Sequence, residues 1–271
     1  MNTIFNVNSS KKQVKLAENG QLCFNLSMKK LPILFTYDDV KNMYPNVNGF
    51  YSFLKRSIKN GKIKQVKKGL YALVDPSTCH IYATKFQIAS KLFNDSYFSY
   101  HDALEYYGLA TQSFVSEFTY LAHVRVNPFE FDGILYSSKV STCDLEIIDT
   151  LKENGVRVVS LERAIIDSID NYYLGGGLDE VELAIQSSPK LDVDIVIKLL
   201  EFYDKAFLYQ KVGYLFEKYL GNEMPDSFYE LCLSKIGKKK MYLDCSPGRT
   251  KLVPRWNLLI RDLGGEPDEL Y

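Results

Sequence analysis

The chain has 271 residues, 46% of them apolar or aromatic, and its 33 basic side chains balance 33 acidic ones, so its formal charge is zero. That length fits two domains better than one, and the apolar content supplies a sizeable core, which excludes a disordered chain. No run approaches the ~20 apolar residues of a membrane span, and the opening MNTIFNVNSSKKQ lacks the apolar stretch of an export signal, so a cytoplasmic protein without a membrane partner is expected.

Residues 1–35 are the least legible stretch: 13–18 and 22–30 each suit a short helix, and one of them should pack under the unit that follows. From Thr36 the pattern sharpens. Thr36 is a good N-cap and Asp39, three residues on, completes a capping box, so a short helix runs to Tyr44 and Pro45 ends it. After the polar turn 46–48, Asn48 caps a second helix with Phe50, Phe53, Leu54 and Ile58 on one face, and Asn60-Gly61 closes it. Residues 62–66 and 70–74, around Lys67-Lys68-Gly69, read as a β-hairpin. Helix, turn, helix, hairpin is the order of a winged helix-turn-helix.

Charge indicates what this unit is for. Between Val40 and Gly69 the bases are Lys41, Lys55, Arg56, Lys59, Lys62, Lys64, Lys67 and Lys68, with no Asp or Glu, so the segment carries +8 and the rest of the chain −8. Most charge runs are simply solvated faces. Here the absence of acids coincides with a DNA-binding order of elements, which favours duplex DNA as the partner. With the apolar stripe turned inward, the second helix presents Asn48, Tyr51 and Ser52 in its first turns, where base edges are read, and Lys55, Arg56 and Lys59 beyond them; Lys62, Lys64, Lys67 and Lys68 belong to the wing and reach phosphates.

Past Pro76 the pattern changes. Residues 84–93 and 100–108 suit helices, 117–125 and 128–137 read as two strands around a turn at Asn127-Pro128, 145–151 is ambiguous, and 156–159 is a short buried strand. Ser160 caps a helix over 161–169, on which Arg163 and Asp167 are spaced to pair on the helix surface. After Gly175-Gly176-Gly177, four helices follow over 178–186, 193–203, 206–220 and 226–236. The tail, 241–271, reads as strand and loop, and Lys238, Lys239, Lys240, Arg249, Lys251 and Arg255 make a second basic cluster that no motif frames.

Five cysteines without a C-x-x-C pair, together with His80, His101 and His123 far apart, give no metal-ligand spacing, so reduced thiols and neither metal nor cofactor are expected. Asp132, Glu146 and Lys152 are the nearest approach to a metal-dependent nuclease triad. Ile147 and Ile148 occupy the positions after Glu146 where such a strand needs its lysine, and no phosphate-binding or nucleophile-elbow motif is present, so a non-enzyme is expected.

The winged unit, then SYHDALEYYGLA (99–110), VRVVSLERAIIDSI (156–169) and KVGYLFEKYL (211–220), in that order and spacing, resembles the AbiEi-type antitoxins of type IV toxin-antitoxin systems over roughly residues 36–220. The resemblance implies an α+β protein: an N-terminal winged helix-turn-helix domain over 1–80, and over 81–271 a larger mixed α/β antitoxin domain with a helical C-terminal part. It further implies repression of its own operon through operator DNA, and a second domain that counteracts a nucleotidyltransferase-like toxin without holding it in a stable complex. The competing readings are a stand-alone winged-helix regulator and a protein-interaction adaptor.

Overall fold

A computed structural model describes residues 30–93, 95–114, 116–244 and 248–262, and its described residues form a mixed α/β structure with three β-sheets. The chain divides into two compact units between Thr84 and Lys85.

In the first unit, strand β1 (Leu34–Phe35) leads into helix α1 (Tyr37–Val40), a 3-10 turn (Lys41–Met43), helix α2 (Val47–Lys59) and the hairpin β2 (Ile63–Lys67) and β3 (Leu70–Leu73). The capping box forms: Asp39 folds back to accept the Thr36 backbone N–H at 2.6 Å. Gly69 supplies the left-handed residue of the hairpin turn, at φ +89°. β1, which the sequence reading missed, pairs antiparallel with β3, giving the order β1-β3-β2. Two residues carry almost no pattern, and this strand exists only because the hairpin offers it an edge. The helix read over 13–18 lies outside the described residues, as does all but Lys30 of the one read over 22–30.

The core of this unit is aromatic. Phe35, Val40, Phe50, Phe53, Leu54, Ile63 and Tyr71 are buried together, with Tyr37 and Tyr44 packed against them. Two expectations for α2 need correction. Its cap is Asn46, whose side chain accepts the Gly49 N–H at 2.9 Å, while Asn48 lies inside the first turn. Pro45 sets the reason: the helix begins as soon as the chain is past it, one polar residue later. On the buried face, Ser57 takes the place expected for Ile58, because positions 50, 53, 54 and 57 span the stripe more closely than 50, 53, 54 and 58 do. Ser57 is tolerated there since its hydroxyl donates to the Phe53 carbonyl at 2.9 Å, and Ile58 is left 40% exposed.

The second unit is built on a mixed six-stranded sheet. Its strands are β4 (Tyr97–Phe98), β5 (Glu117–Ala122), β6 (Phe129–Phe131), β7 (Ile134–Val140), β8 (Ile147–Asp149) and β9 (Arg157–Val159), in the order β6-β7-β5-β4-β9-β8. The second strand reading, 128–137, is in fact a hairpin: Asp132-Gly133, both at positive φ, turn the chain between β6 and β7, and β5 then runs parallel to β7. The ambiguous 145–151 resolves as β8, because β9 offers it an antiparallel partner. Helices α3 (Lys85–Lys91) and α4 (Tyr100–Tyr106) come from the first half of this unit, and α5 (Leu161–Asp170), α6 (Leu178–Ser187), α7 (Val193–Tyr203), α8 (Ala206–Tyr219) and α9 (Asp226–Lys235) from the second. A small sheet of β10 (Met241–Tyr242), β11 (Thr250–Val253) and β12 (Leu258–Arg261) completes it, in the order β10-β12-β11.

Helix α5 is the hub of this unit, since α4, α6, α7 and α8 all pack against it. Ser160 caps it as expected, accepting the Arg163 N–H at 3.3 Å. From Arg163 to Ile169 every residue is buried, and the Arg163–Asp167 pair sits in the core, not on the helix surface. The Asp167 carboxylate accepts from the Ser99 hydroxyl at 2.6 Å, from the Tyr203 hydroxyl and from Arg163 Nε at 3.4 Å. Arg163 also donates to the Leu145 carbonyl and, at 3.0 Å, to the Tyr97 hydroxyl, which in turn donates to the Cys143 carbonyl at 2.7 Å. One ion pair thus holds β4, the chain entering β8, α5 and α7. Its removal from one side leaves an uncompensated charge in the core. Asp167→Asn or Arg163→Met should each cost about 3–5 kcal/mol in urea unfolding, and the double variant clearly less than their sum.

A second buried carboxyl is less well served. Asp102 on α4 accepts the Thr119 N–H at 2.9 Å through one oxygen, while its other oxygen is buried without a partner, and burial pushes its pKa up from 3.8 to about 7. An acid whose folded pKa is raised binds its proton more tightly in the native state, so stability falls as pH climbs from the unfolded value towards 7 and levels off above it. Asp102→Asn removes this dependence. Relative to the wild type it should gain roughly 2–3 kcal/mol between about pH 5 and about pH 7.5, read from urea unfolding at both.

Candidate nucleic-acid interface

Helix α2 and the β2–β3 hairpin bring the basic segment together. Helix α2 is anchored by Phe50, Phe53, Leu54 and Ser57, so at 100° per residue the direction opposite that stripe is occupied by Asn48, Ser52, Lys55 and Lys59, with Arg56 at one border. All five are exposed. At the other border lie Val47, Tyr51 and Ile58, which are 42%, 54% and 40% exposed. The sequence reading missed Val47 because it placed the cap at Asn48; Asn46 followed by Gly49 was the signal that could have found it.

Tyr51 is held at the join of helix and sheet. Its ring lies 5.4 Å from that of Phe50, which is 6.0 Å from Tyr71 on β3. Burial first, and the neighbouring Tyr51 second, raise the pKa of Tyr71. Tyr44, which follows the 3-10 turn, meets Phe50 edge-on and Phe53 at a tilt, and its pKa is pushed up to about 12 by burial.

The hairpin lysines are not equivalent. Lys68 is exposed in the turn, whereas Lys62, Lys64 and Lys67 are half-buried along the strand. A β-bulge between Gln65 and Lys67 shifts the register, so Ile63 and Val66 both face the core although three residues separate them. The same irregularity draws Lys67 towards the interior, where burial lowers its pKa. Lys68 is therefore the most exposed of the hairpin lysines. Asp38, just ahead of this unit's bases, is exposed and engages Lys41 at 3.4 Å.

The other constellations do not assemble. Asp132 occupies the β6–β7 turn, Glu146 accepts from Lys198 at 2.6 Å, and Lys152 lies beside Asp149, so the three candidates for a nuclease triad have separate local roles. Gly176 and Gly177 border an open cleft of about 730 Å³ in the second unit, together with Asp170, Asp179, Glu180, Asp244, Lys211 and Arg261. Four carboxylates against two bases make this an ill-suited phosphate cradle. Gly176 is needed for packing, because a Cβ there would lie 2.7 Å from the His101 ring. Among the described residues no helix is long and apolar enough to cross a membrane.

No family model matches the chain, and no curated protein does. Among solved structures it is similar to the crystal structure of the RV2827C protein from Mycobacterium tuberculosis, with a TM-score of 0.62 over 88% of this chain and 89% of that one. At 12% sequence identity, that likeness is one of fold alone.

Proposed function

We propose that the first unit is a winged helix-turn-helix that binds operator duplex DNA, and that the chain is a cytoplasmic, non-enzymatic antitoxin of the AbiEi type. In this reading it represses its own operon through the first unit, and its second unit counteracts a nucleotidyltransferase-like toxin. The observation that carries the reading is the acid-free segment 40–69, seven of whose eight bases fall on the outward side of α2 and on the adjoining hairpin, with Lys41 on the 3-10 turn before them. A helix of 13 residues with a polar, basic outer face has the size and chemistry to enter a major groove. Lys55, Arg56, Lys59 and the hairpin lysines then neutralise phosphates, while Asn48, Tyr51 and Ser52 approach base edges. The division between Thr84 and Lys85 leaves the second unit with its own core, which favours separable roles.

Lys55→Glu with Arg56→Glu should abolish the gel shift of the chain's own promoter DNA. In the wild type, if about five phosphates are neutralised, log affinity should fall against log salt with a slope near −4.5. The same variant, supplied in trans at matched abundance to cells expressing the neighbouring toxin, should still restore growth. Unchanged promoter binding by the variant would remove the DNA reading, and failure of a folded variant to rescue would remove the division of labour.

Tyr51→Ala and Ser52→Ala should act differently from the charge reversals. Each should lower operator affinity by about 1–3 kcal/mol and affect random duplex little, which shrinks the specificity ratio measured by competition binding. Equal losses on both DNAs would make these residues positioning contacts instead.

A further inference from the structure

The C-terminal sheet carries a second concentration of positive charge that the first unit's role does not absorb. Thirteen of the 33 bases and four of the 33 acids precede residue 85, so the second unit holds 20 bases against 29 acids, a net charge of −9. Within it, residues 235–262 hold Lys235, Lys238, Lys239, Lys240, Arg249, Lys251, Arg255 and Arg261 against Asp244 and Asp262, a net charge of +6, and Arg255 is engaged by Glu217 at 3.0 Å. Such contrast inside an acidic unit is a local feature, not a general excess of lysine.

The sheet that carries these bases is firmly mounted. Trp256, between β11 and β12, is fully buried against α8, where Gly213 leaves room for its ring: a Cβ on Gly213 would lie 2.2 Å from it. The indole N–H donates to Glu217 at 2.5 Å, and Gln210 donates to the Trp256 carbonyl at 3.2 Å. Leu258 is fully buried, and its cross-strand partners Met241 and Val253 share its inner face. Alternation then turns the next row outward. Tyr242, Leu259 and Leu252 are direct cross-strand partners across all three strands, with Tyr242 54% and Leu252 38% exposed. Lys238, Lys239 and Lys240 lie at one end of the strands, ahead of β10, and Arg249 and Arg261 at the other, with this row between them; all five are exposed. Four residue steps along β12 separate the two ends, roughly 13 Å.

We infer that this face of the second unit binds single-stranded nucleic acid, with Tyr242 as a stacking platform and the flanking bases tracking the backbone. A three-stranded surface with one exposed ring between two basic ends matches the way sheets hold unpaired strands, in which base faces are free to stack. In a duplex those faces are hidden, and Tyr242 has nothing to contribute to it. An anionic lipid surface would use the charge, but this row offers only one ring and one exposed leucine for insertion.

The test uses the full chain carrying Lys55→Glu and Arg56→Glu, so that duplex binding by the first unit does not mask the result. Its affinity is measured by fluorescence anisotropy for labelled oligo-dT and oligo-U of ~20 nucleotides and for a duplex of ~20 base pairs. Sedimentation with phosphatidylserine vesicles is run beside it. The expected result is preference for the single strands over both duplex and vesicles. Tyr242→Ala should weaken that binding roughly 10-fold, and Lys238→Glu, Lys239→Glu and Lys240→Glu together should abolish most of it; the corresponding alanine triple variant should reduce the salt slope by about 2. Circular dichroism of each variant should be unchanged, since the substituted side chains are exposed. Absence of single-strand binding, equal binding by the Tyr242 and lysine variants, or preference for the duplex or the vesicles would each overturn the proposal.

Discussion

The buried Arg163–Asp167 pair is the constraint on which the second unit depends. Arginine and aspartate on one helix, four residues apart, ordinarily form an exposed pair of little consequence. Here the helix is enclosed on all sides, so both charges have left water and only complete hydrogen bonding makes that tolerable. The bonds that achieve it come from Ser99, Tyr203, Tyr97 and the Leu145 carbonyl. They come from three separate stretches of the chain, so satisfying one ion pair fixes where β4 and the residue after it, the chain entering β8, and α7 must lie. An apolar core of the same volume would hold the helices together without dictating so specific an arrangement.

The first unit reaches its arrangement by another route. A set of interlocking rings, from Tyr37 and Tyr44 through Phe50 to Tyr71 and Phe35, joins the short helix, the long helix and the sheet. Rings tie the elements firmly and leave the polar side chains free to face outward, which is why so many bases can share one small unit without any of them entering its core fully charged. Lys67 tests this rule, for the bulge draws it inward and burial disfavours its ammonium form.

Much of this was legible in the sequence wherever a segment's own pattern decides its structure. The helix from 161, its Ser160 cap, the four helices that follow and the hairpin around Gly69 all have strong local periodicity or turn chemistry. What could not be read depends on distant partners. Leu34–Phe35 is a strand only because β3 presents an edge, and Ile147–Asp149 only because β9 does. The burial of Asp167 was invisible for the same reason, since periodicity places it on a face but does not say that another helix covers that face. At the basic surface, the identity of the residues was readable, whereas their ranking was not: the shift of the cap from Asn48 back to Asn46 brings Val47 into the helix at the surface, and the register shift at Gln65 sets Lys67 apart from Lys68.

Trp256 has one further consequence. It is the only tryptophan in the chain, and it sits at the single seam where the C-terminal sheet meets α8, its ring filling the space that Gly213 leaves. Indole emission excited at the red edge, beyond tyrosine absorption, therefore originates from that seam alone. The protein carries its own optical gauge of whether the sheet is seated. A blue, protected emission reports the docked state, and a red shift with access to quenchers reports its release, independently of how the rest of the chain is folded.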